Sequence, residues 1–245
     1  MKRLFDSFFS PKLEVFPSKI DMHSHLLPGI DDGAKTLEQS IELIQELIKM
    51  GYSHFICTPH IMGDHFKNTK ETIEASYKLL INELIAQKID VKVEYAAEYY
   101  IDEIFTKNVE NGHPFLCLKD KYLLVETSYI NAPKNFREIV FQLQMQGYSV
   151  VLAHPERYSY LFNDFEQYKK IYDLGILFQI NLNSLCGYYS PMSRKIAQKL
   201  IDLDMVDFIG TDCHHVKHVH ALQKTLNERY TKKLFTKKLL NNQLA

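Results

Sequence analysis

Nine side chains in the 245-residue sequence are candidates to hold divalent cations: His23, His25, Asp32, His60, Glu98, Glu126, His154, Asp212 and His214. In extended backbone, side chains alternate with a period of two, so the imidazoles of His23-Ser24-His25 face one side and can grip one ion. Asp212-Cys213-His214 repeats that spacing near the other end of the chain. Five imidazoles and four carboxylates exceed what one four- to six-coordinate ion uses, so two to three divalent metal ions with bridging carboxylates are expected. Three such ions would outweigh the four carboxylates and leave a positive pocket suited to an anion. Mixed nitrogen and oxygen ligation without thiolate points to Mn, Fe or Zn and away from Ca, without ranking the three. Cys213, between two candidate ligands, is expected to point away as a small buried apolar group.

These residues follow short β-branched or aromatic runs that read as buried strands: 19–22, 54–57, 91–96, 122–126, 150–153, 177–180 and 206–210. Between them lie amphipathic helical stretches, 37–50, 71–87, 136–146, 165–174, 193–203 and 218–229, with Gly51, Gly147 and Gly175 as stop signals. Alternating strand and helix means a parallel sheet. Each strand carries a polar group at its C-terminal end: Asp21, His23 and His25, then His60, Glu98, Glu126, His154, Asn181 and Asn183, and finally Asp212 and His214. An open sheet gathers ligands at one crevice fed by two or three strands, whereas a closed barrel brings every strand end around one pocket. The expected fold is therefore an α/β, TIM-like (β/α)7 barrel with the metal site at its C-terminal mouth. It would fill residues 1–245 as one domain, with an N-terminal extension over 1–18 and a basic amphipathic helix over 231–245.

Composition narrows the partners. With 46% apolar and 24% charged residues and a net charge of −1, the chain has no electrostatic footprint for nucleic acid. No apolar run is long enough to span a membrane. The opening segment, with Leu4/Phe5 and Phe8/Phe9, is interrupted by Asp6 and lacks a small-residue cleavage site, so it reads as mature sequence that plugs the underside of the domain. Cys57, Cys117, Cys186 and Cys213 are scattered and without a C-x-x-C pair, which fits reduced thiols and a cytoplasmic location. None is followed six positions later by Arg, so a cysteine nucleophile facing a phosphate-binding Arg loop is not encoded.

His23-Ser-His25, Asp31-Asp32-Gly33, Thr58-Pro59-His60, Glu98, His154-Pro155-Glu156-Arg157 and Thr211-Asp212-Cys213-His214 resemble the motif set of the polymerase-and-histidinol-phosphatase superfamily. More narrowly, Asp-Met-His-Ser-His-Leu-Leu-Pro-Gly-Ile-Asp-Asp-Gly at 21–33 with His-Pro-Glu-Arg-Tyr at 154–158 resembles the bacterial capsule-locus protein-tyrosine phosphatases, the metal-dependent counterpart of the cysteine enzymes. The resemblance spans residues 20–215. It implies a trinuclear site held by the nine residues reached by counting, with Arg157 gripping the substrate phosphate through its planar fork. Arg157 and His214 are thus the expected catalytic residues, His214 being committed to metal as well. The family carries a second phosphate-binding Arg after the last D-x-H motif, but His215-Val216-Lys217-His218-Val219-His220 contains none, so Lys217 or His218 is expected to substitute.

The implied reaction is hydrolysis of a phosphate monoester by a metal-activated water, with Arg157 neutralising phosphoryl charge. The substrate would be a phosphotyrosine-containing protein, a bacterial tyrosine kinase tail in capsular and exopolysaccharide control. A small-molecule phosphomonoesterase of the histidinol-phosphatase type and a non-catalytic metal-binding regulatory domain are the alternatives. His215 and His218 are candidates for leaving-group protonation. Tyr99, Tyr100, Tyr129, Tyr158, Tyr160, Tyr188 and Tyr189 follow the strands and could sandwich a substrate ring.

Overall fold

The computed structural model describes residues 14–119 and 121–245. In chain order the elements are β1 (Ile20–Ser24), α1 (Leu37–Lys49), β2 (His54–Cys57), β3 (His60–Ile61), α2 (Lys70–Ala86), β4 (Lys92–Tyr95), β5 (Glu98–Tyr100), α3 (Glu103–Glu110), β6 (Tyr122–Glu126), α4 (Phe136–Met145), β7 (Ser149–Ala153), α5 (Phe165–Tyr172), β8 (Leu177–Asn181), α6 (Pro191–Asp202), β9 (Phe208–Gly210), α7 (Val216–Thr225) and α8 (Arg229–Leu234). The apolar runs form strands because they are buried on both faces, as parallel strands covered by helices must be. Helix starts are fixed locally: Thr36, Thr69, Asp102, Asp164 and Ser190 each accept a hydrogen bond from a first-turn backbone N–H.

All strand pairings are parallel, in the orders β1-β2-β4 and β3-β5-β6-β7-β8-β9. The two rows are one sheet, because β2 and β3 are halves of a strand interrupted at Thr58-Pro59, and β4 and β5 of one interrupted at Ala96-Ala97. Across these breaks Ala96 N–H still donates to Cys57 O (2.9 Å) and Glu98 N–H to Pro59 O (3.1 Å). The sheet then closes on itself. Ser24 bridges Cys213, Asp212 N–H donates to His23 O (2.8 Å) and His25 N–H donates to Cys213 O (3.0 Å). Seven strand positions thus curl into the expected barrel, and the seam closes at the layer that carries the candidate ligands.

Two apolar cores result. Ile20, Met22, Ile56, Leu124, Val151 and Phe208 fill the barrel, and a larger cluster including Ile44, Leu47, Phe55, Leu143 and Leu200 packs helices against its outside. Gly33 and Gly210 are required by close approach. A Cβ on Gly33 would lie 2.1 Å from His25 O, and one on Gly210 would lie 2.6 Å from His23 Cβ.

Two expectations need correction. The run 91–96 is the first half of a broken strand, and α3, capped by Asp102, follows it unforeseen because eight residues hold too few apolar repeats to register as periodic. The final segment is not one amphipathic helix over 231–245: α8 ends at Leu234, and a separate 3-10 turn, Leu240–Leu244, follows. The plug expected of residues 4–9 lies outside the described residues. Leu244 packs into the barrel core with Leu240 against it, while Asn241 Oδ1 accepts from Ile209 N–H (3.0 Å) and its Nδ2 donates to Ile209 O (2.8 Å).

Candidate metal centre

β1, a fully buried strand, carries His23 and is followed at once by His25, and its parallel partners supply the rest of the layer. His60 and Glu98 are directly paired across β3 and β5, which places imidazole beside carboxylate. Glu126 ends β6, His154 follows β7, and Asp212 and His214 follow β9. His154 (φ 34°) and Asp212 (φ 50°) hold left-handed backbone conformations, a strain that non-glycine residues adopt where surrounding structure imposes it.

All nine expected ligands converge. Their donor atoms fall into four overlapping groups, within each of which the atoms lie within 4.8 Å of one another: His25, Asp32, His60 and His214; His23, His25 and Asp212; His23, Glu98 and His154; and His60, Glu98 and Glu126. Glu98 is shared by two groups and sits at the centre, its Oε2 3.1 Å from His23 Nε2, 3.3 Å from His25 Nε2 and 3.2 Å from His60 Nδ1. Its Oε1 is 3.0 Å from His154 Nε2. Asp32 stands at the outer edge, its Oδ1 3.3 Å from His214 Nε2 and 3.5 Å from His60 Nε2.

Hydrogen bonds behind the ligands fix what faces the centre. Gln179 Oε1 accepts from His154 N–H (3.3 Å) and from His23 Nδ1 (2.8 Å), so His23 carries its proton on Nδ1. Asp31 Oδ2 likewise accepts from His25 Nδ1 (2.7 Å). The two Nε2 atoms then meet across 3.3 Å, a contact that is repulsive unless a proton or a cation lies between them. His60 Nδ1 is buried between Glu98 and Glu126 without hydrogen-bond geometry to either, as a ligand atom aimed at an ion would be. This donor set fits divalent cations. Asp31 and Gln179 escaped sequence reasoning as functional groups. The available signals were the doubled Asp31-Asp32 and the two-residue spacing of Gln179 from Asn181, which puts both on one strand face.

Asp212 is held through one oxygen. Its Oδ2 accepts from Asn181 Nδ2 (2.6 Å), Arg157 NH1 (2.8 Å) and Tyr189 OH (3.3 Å), which leaves Oδ1 for His23, His25 and His214. The Arg157 guanidinium lies between two rings, 4.1 Å from the centre of Tyr189 and 4.6 Å from that of Tyr129. Glu156, its neighbour in sequence, is buried and accepts from Ser184 Oγ (2.6 Å) and Asn181 N–H (2.9 Å), tying the 155–157 turn to the end of β8.

Burial and charge act in opposition here. Burial pushes the Glu98 carboxyl up, but His23 and His60 outweigh it and hold it well below the usual carboxylate range. Burial pushes His60 down, while Glu98 and Glu126 bring it up to about 9; His25 stands well above its ordinary value through Asp31 and Glu98. Protons therefore occupy the imidazoles when cations do not. The thiol of Cys213 is buried and pushed well above its usual range, as expected of an inert packing group.

Above this layer opens a cavity of about 510 Å³, lined by Asp32, His60, Glu126, His154, Asp212 and His214 and rimmed by Arg157, Tyr100, Tyr129, Tyr189, His215 and His218. Of the seven tyrosines expected at the mouth, Tyr100, Tyr129 and Tyr189 line it. Tyr99 instead bonds Leu116 N–H and packs on Phe105 and Phe115; Tyr158 is buried, donating to Ala153 O; Tyr160 stacks on Tyr158 and bonds Thr127; and Tyr188 packs edge-on against His218. The two stand-ins for the missing Arg also separate. Lys217 is exposed on α7 and does not line the cavity, whereas His218 is 7% exposed and does. Among the described residues no helix is long and apolar enough to cross a membrane.

The chain is 29% identical over 199 residues to tyrosine-protein phosphatase YwqE of Bacillus subtilis (strain 168), covering 81% of this chain and 78% of that one. It is 29% identical over 203 residues to tyrosine-protein phosphatase CpsB of Streptococcus agalactiae serotype V, covering 80% and 83%. A solved structure from work on YwqE of Bacillus subtilis and CpsB of Streptococcus pneumoniae, described as metal-dependent tyrosine phosphatases, superposes with a TM-score of 0.78 at 27% identity, over 88% of this chain and 89% of that one. The profile of capsular polysaccharide synthesis proteins, CpsB/CapC, matches residues 19–244, and the chain belongs to that family.

Proposed function

We propose that the protein is a metal-dependent protein-tyrosine phosphatase, a phosphoric monoester hydrolase that acts on a phosphotyrosine-containing protein in the cytoplasm. Its substrate in this reading is the tail of a bacterial tyrosine kinase that controls capsular and exopolysaccharide synthesis. The observation that carries the proposal is the convergence of nine nitrogen and oxygen ligands beneath one cavity whose rim bears the Arg157 guanidinium. The similarity to the tyrosine-protein phosphatases YwqE and CpsB supports the phosphotyrosine assignment.

His23, His25, Asp32, His60, Glu98, Glu126, His154, Asp212 and His214 would hold two to three divalent ions, Mn, Fe or Zn. When bound, such ions lower the pKa of water toward neutrality and neutralise phosphoryl charge. Asp31 and Gln179 hold the tautomers that keep His23 and His25 Nε2 free for ligation. Arg157, kept flat between Tyr129 and Tyr189, presents its remaining N–H groups to phosphoryl oxygens. Tyr129, 38% exposed at the rim, offers its outer edge to a substrate ring. No cysteine lines the cavity, so the attacking group in this reading is water.

Phosphate release is measured from a phosphotyrosine peptide and from histidinol phosphate, with protein loaded separately with Mn, Fe or Zn and with a chelated control. Peptide turnover that chelation abolishes is the expected result. Preference for histidinol phosphate would overturn the protein-substrate assignment, and no release from either would overturn the enzymatic one.

A further inference from the structure

The backbone N–H of His214 donates to His218 Nδ1 at 3.1 Å. A backbone amide only donates, so Nδ1 must carry a lone pair, and the single ring proton sits on Nε2. His218 is wedged in place by ring contacts with Tyr188 (5.0 Å), His215 (4.2 Å), His214 (5.4 Å) and Tyr189 (6.1 Å), and Asn183 Nδ2 donates to its carbonyl (3.1 Å). Its ring lines the cavity, and Nε2 has no hydrogen-bond partner among the described residues. Tyr189 separates it from Arg157 and touches both, so the two donors border one side of the cavity. His218 also lies in the first turn of α7, whose N-terminus has no side-chain cap. The positive end of that helix adds to any attraction for an anion at this rim.

We infer that His218 is a phosphate-binding residue, a fixed neutral donor whose Nε2–H hydrogen-bonds a phosphoryl oxygen on the same side of the cavity as Arg157. The assignment rests on the phosphomonoesterase reading above and narrows it in two ways. The role left open by the missing second Arg goes to His218 and not to Lys217. Protonation of the leaving group is removed from His218, because its Nδ1 is committed to His214 and cannot take up a second proton while that bond stands. One neutral donor in place of a bidentate cation predicts a grip on phosphate that depends on geometry more than on charge.

The test uses inorganic phosphate binding to the metal-loaded full chain by calorimetry, with bound metal measured for every variant. Glutamine can place an N–H where His Nε2 lies, whereas asparagine can replace only the Nδ1 acceptor. His218→Ala should weaken phosphate binding about tenfold or more. H218Q should stay within about threefold of the parent and H218N should behave like the alanine variant, all at unchanged metal content. Unchanged binding in H218A overturns the inference. So does rescue by H218N as complete as that by H218Q, since that would mean the imidazole serves only to accept from His214. Loss of metal in H218Q also overturns it, by showing that the ring supports the ligand His214 instead. Phosphotyrosine peptide turnover is recorded separately, so that failure of the substrate assignment and failure of the phosphate contact are told apart.

Discussion

At the floor of the barrel, Asn241 is buried and spends its side chain completely: it accepts from Ile209 N–H and donates to Ile209 O and, at 3.4 Å, to Ile20 O. At the mouth, His60 Nδ1, His154 Nδ1, Glu156 Oε2 and Asn183 Oδ1 are buried with no hydrogen-bond partner among the described residues, and His23 and His25 bring their Nε2 atoms within 3.3 Å of each other. Both ends bury polar groups at similar cost in lost hydration. The floor recovers that cost within the chain, while the mouth is built to recover it from something added. A saturated site holds the fold together, and an unsaturated one binds.

If this contrast is right, substitutions at the two ends must separate activity from stability. The largest effect belongs to the mouth. His60→Ala or Asp212→Ala should cut metal-dependent phosphate release by ~100-fold or more and lower the measured metal content, with circular dichroism of the metal-free protein unchanged. Full activity in either variant would remove that residue from the site. Next comes the floor. Leu244→Ala should cost about 3 kcal/mol of stability in denaturant unfolding, yet leave turnover per folded molecule as it was. A variant that unfolds normally but turns over slowly would show that the two ends are coupled.

Smaller effects sharpen the contrast from behind the ligands. Asp31→Asn, which removes the charge that orients His25, should weaken metal binding ~10- to 100-fold without removing it, measured by competition with a chelator. An unaltered affinity would show that β1 positions His25 unaided. The mildest probe is pH. His60 is held up to about 9 and His25 is well above its usual value, so loading at neutral pH must expel protons. Metal affinity should therefore rise from pH 6 to pH 8, by up to about tenfold per unit for each proton displaced. Calorimetry in buffers of different ionisation enthalpy should report proton release, and a flat profile would show that these imidazoles are already neutral.

The barrel and the cluster of polar groups at its mouth were readable in sequence because they leave repeating marks. Short apolar runs followed by His, Glu or Asp announce strands and the mouth together, and the two-residue spacings His23/His25 and Asp212/His214 mark the groups that the seam brings together. What stayed hidden has no local signature. The breaks at Thr58-Pro59 and Ala96-Ala97 depend on how neighbouring strands share hydrogen bonds, and α3 is too short to show a period. Asp31 and Gln179 orient ligands through contacts 6 and 156 positions away in sequence. Lys217 and His218 are adjacent in the chain, and only the phase of α7 decides that one meets water and the other the cavity.

The seam between β1 and β9 has a consequence for synthesis. His23 leaves the ribosome well before Asp212, and Asn241 ties the two strands together across 221 positions. Contacts this distant in the chain cannot form until β9 has been made, so a nascent polypeptide carries the first two imidazoles long before it can enclose a cation. A chain arrested before β9 would leave the sheet unclosed and the centre without Asp212 and His214. Enclosing the centre thus waits until β9 and the residues after it have been made, and a chain released before Asp212 would yield no partly active enzyme.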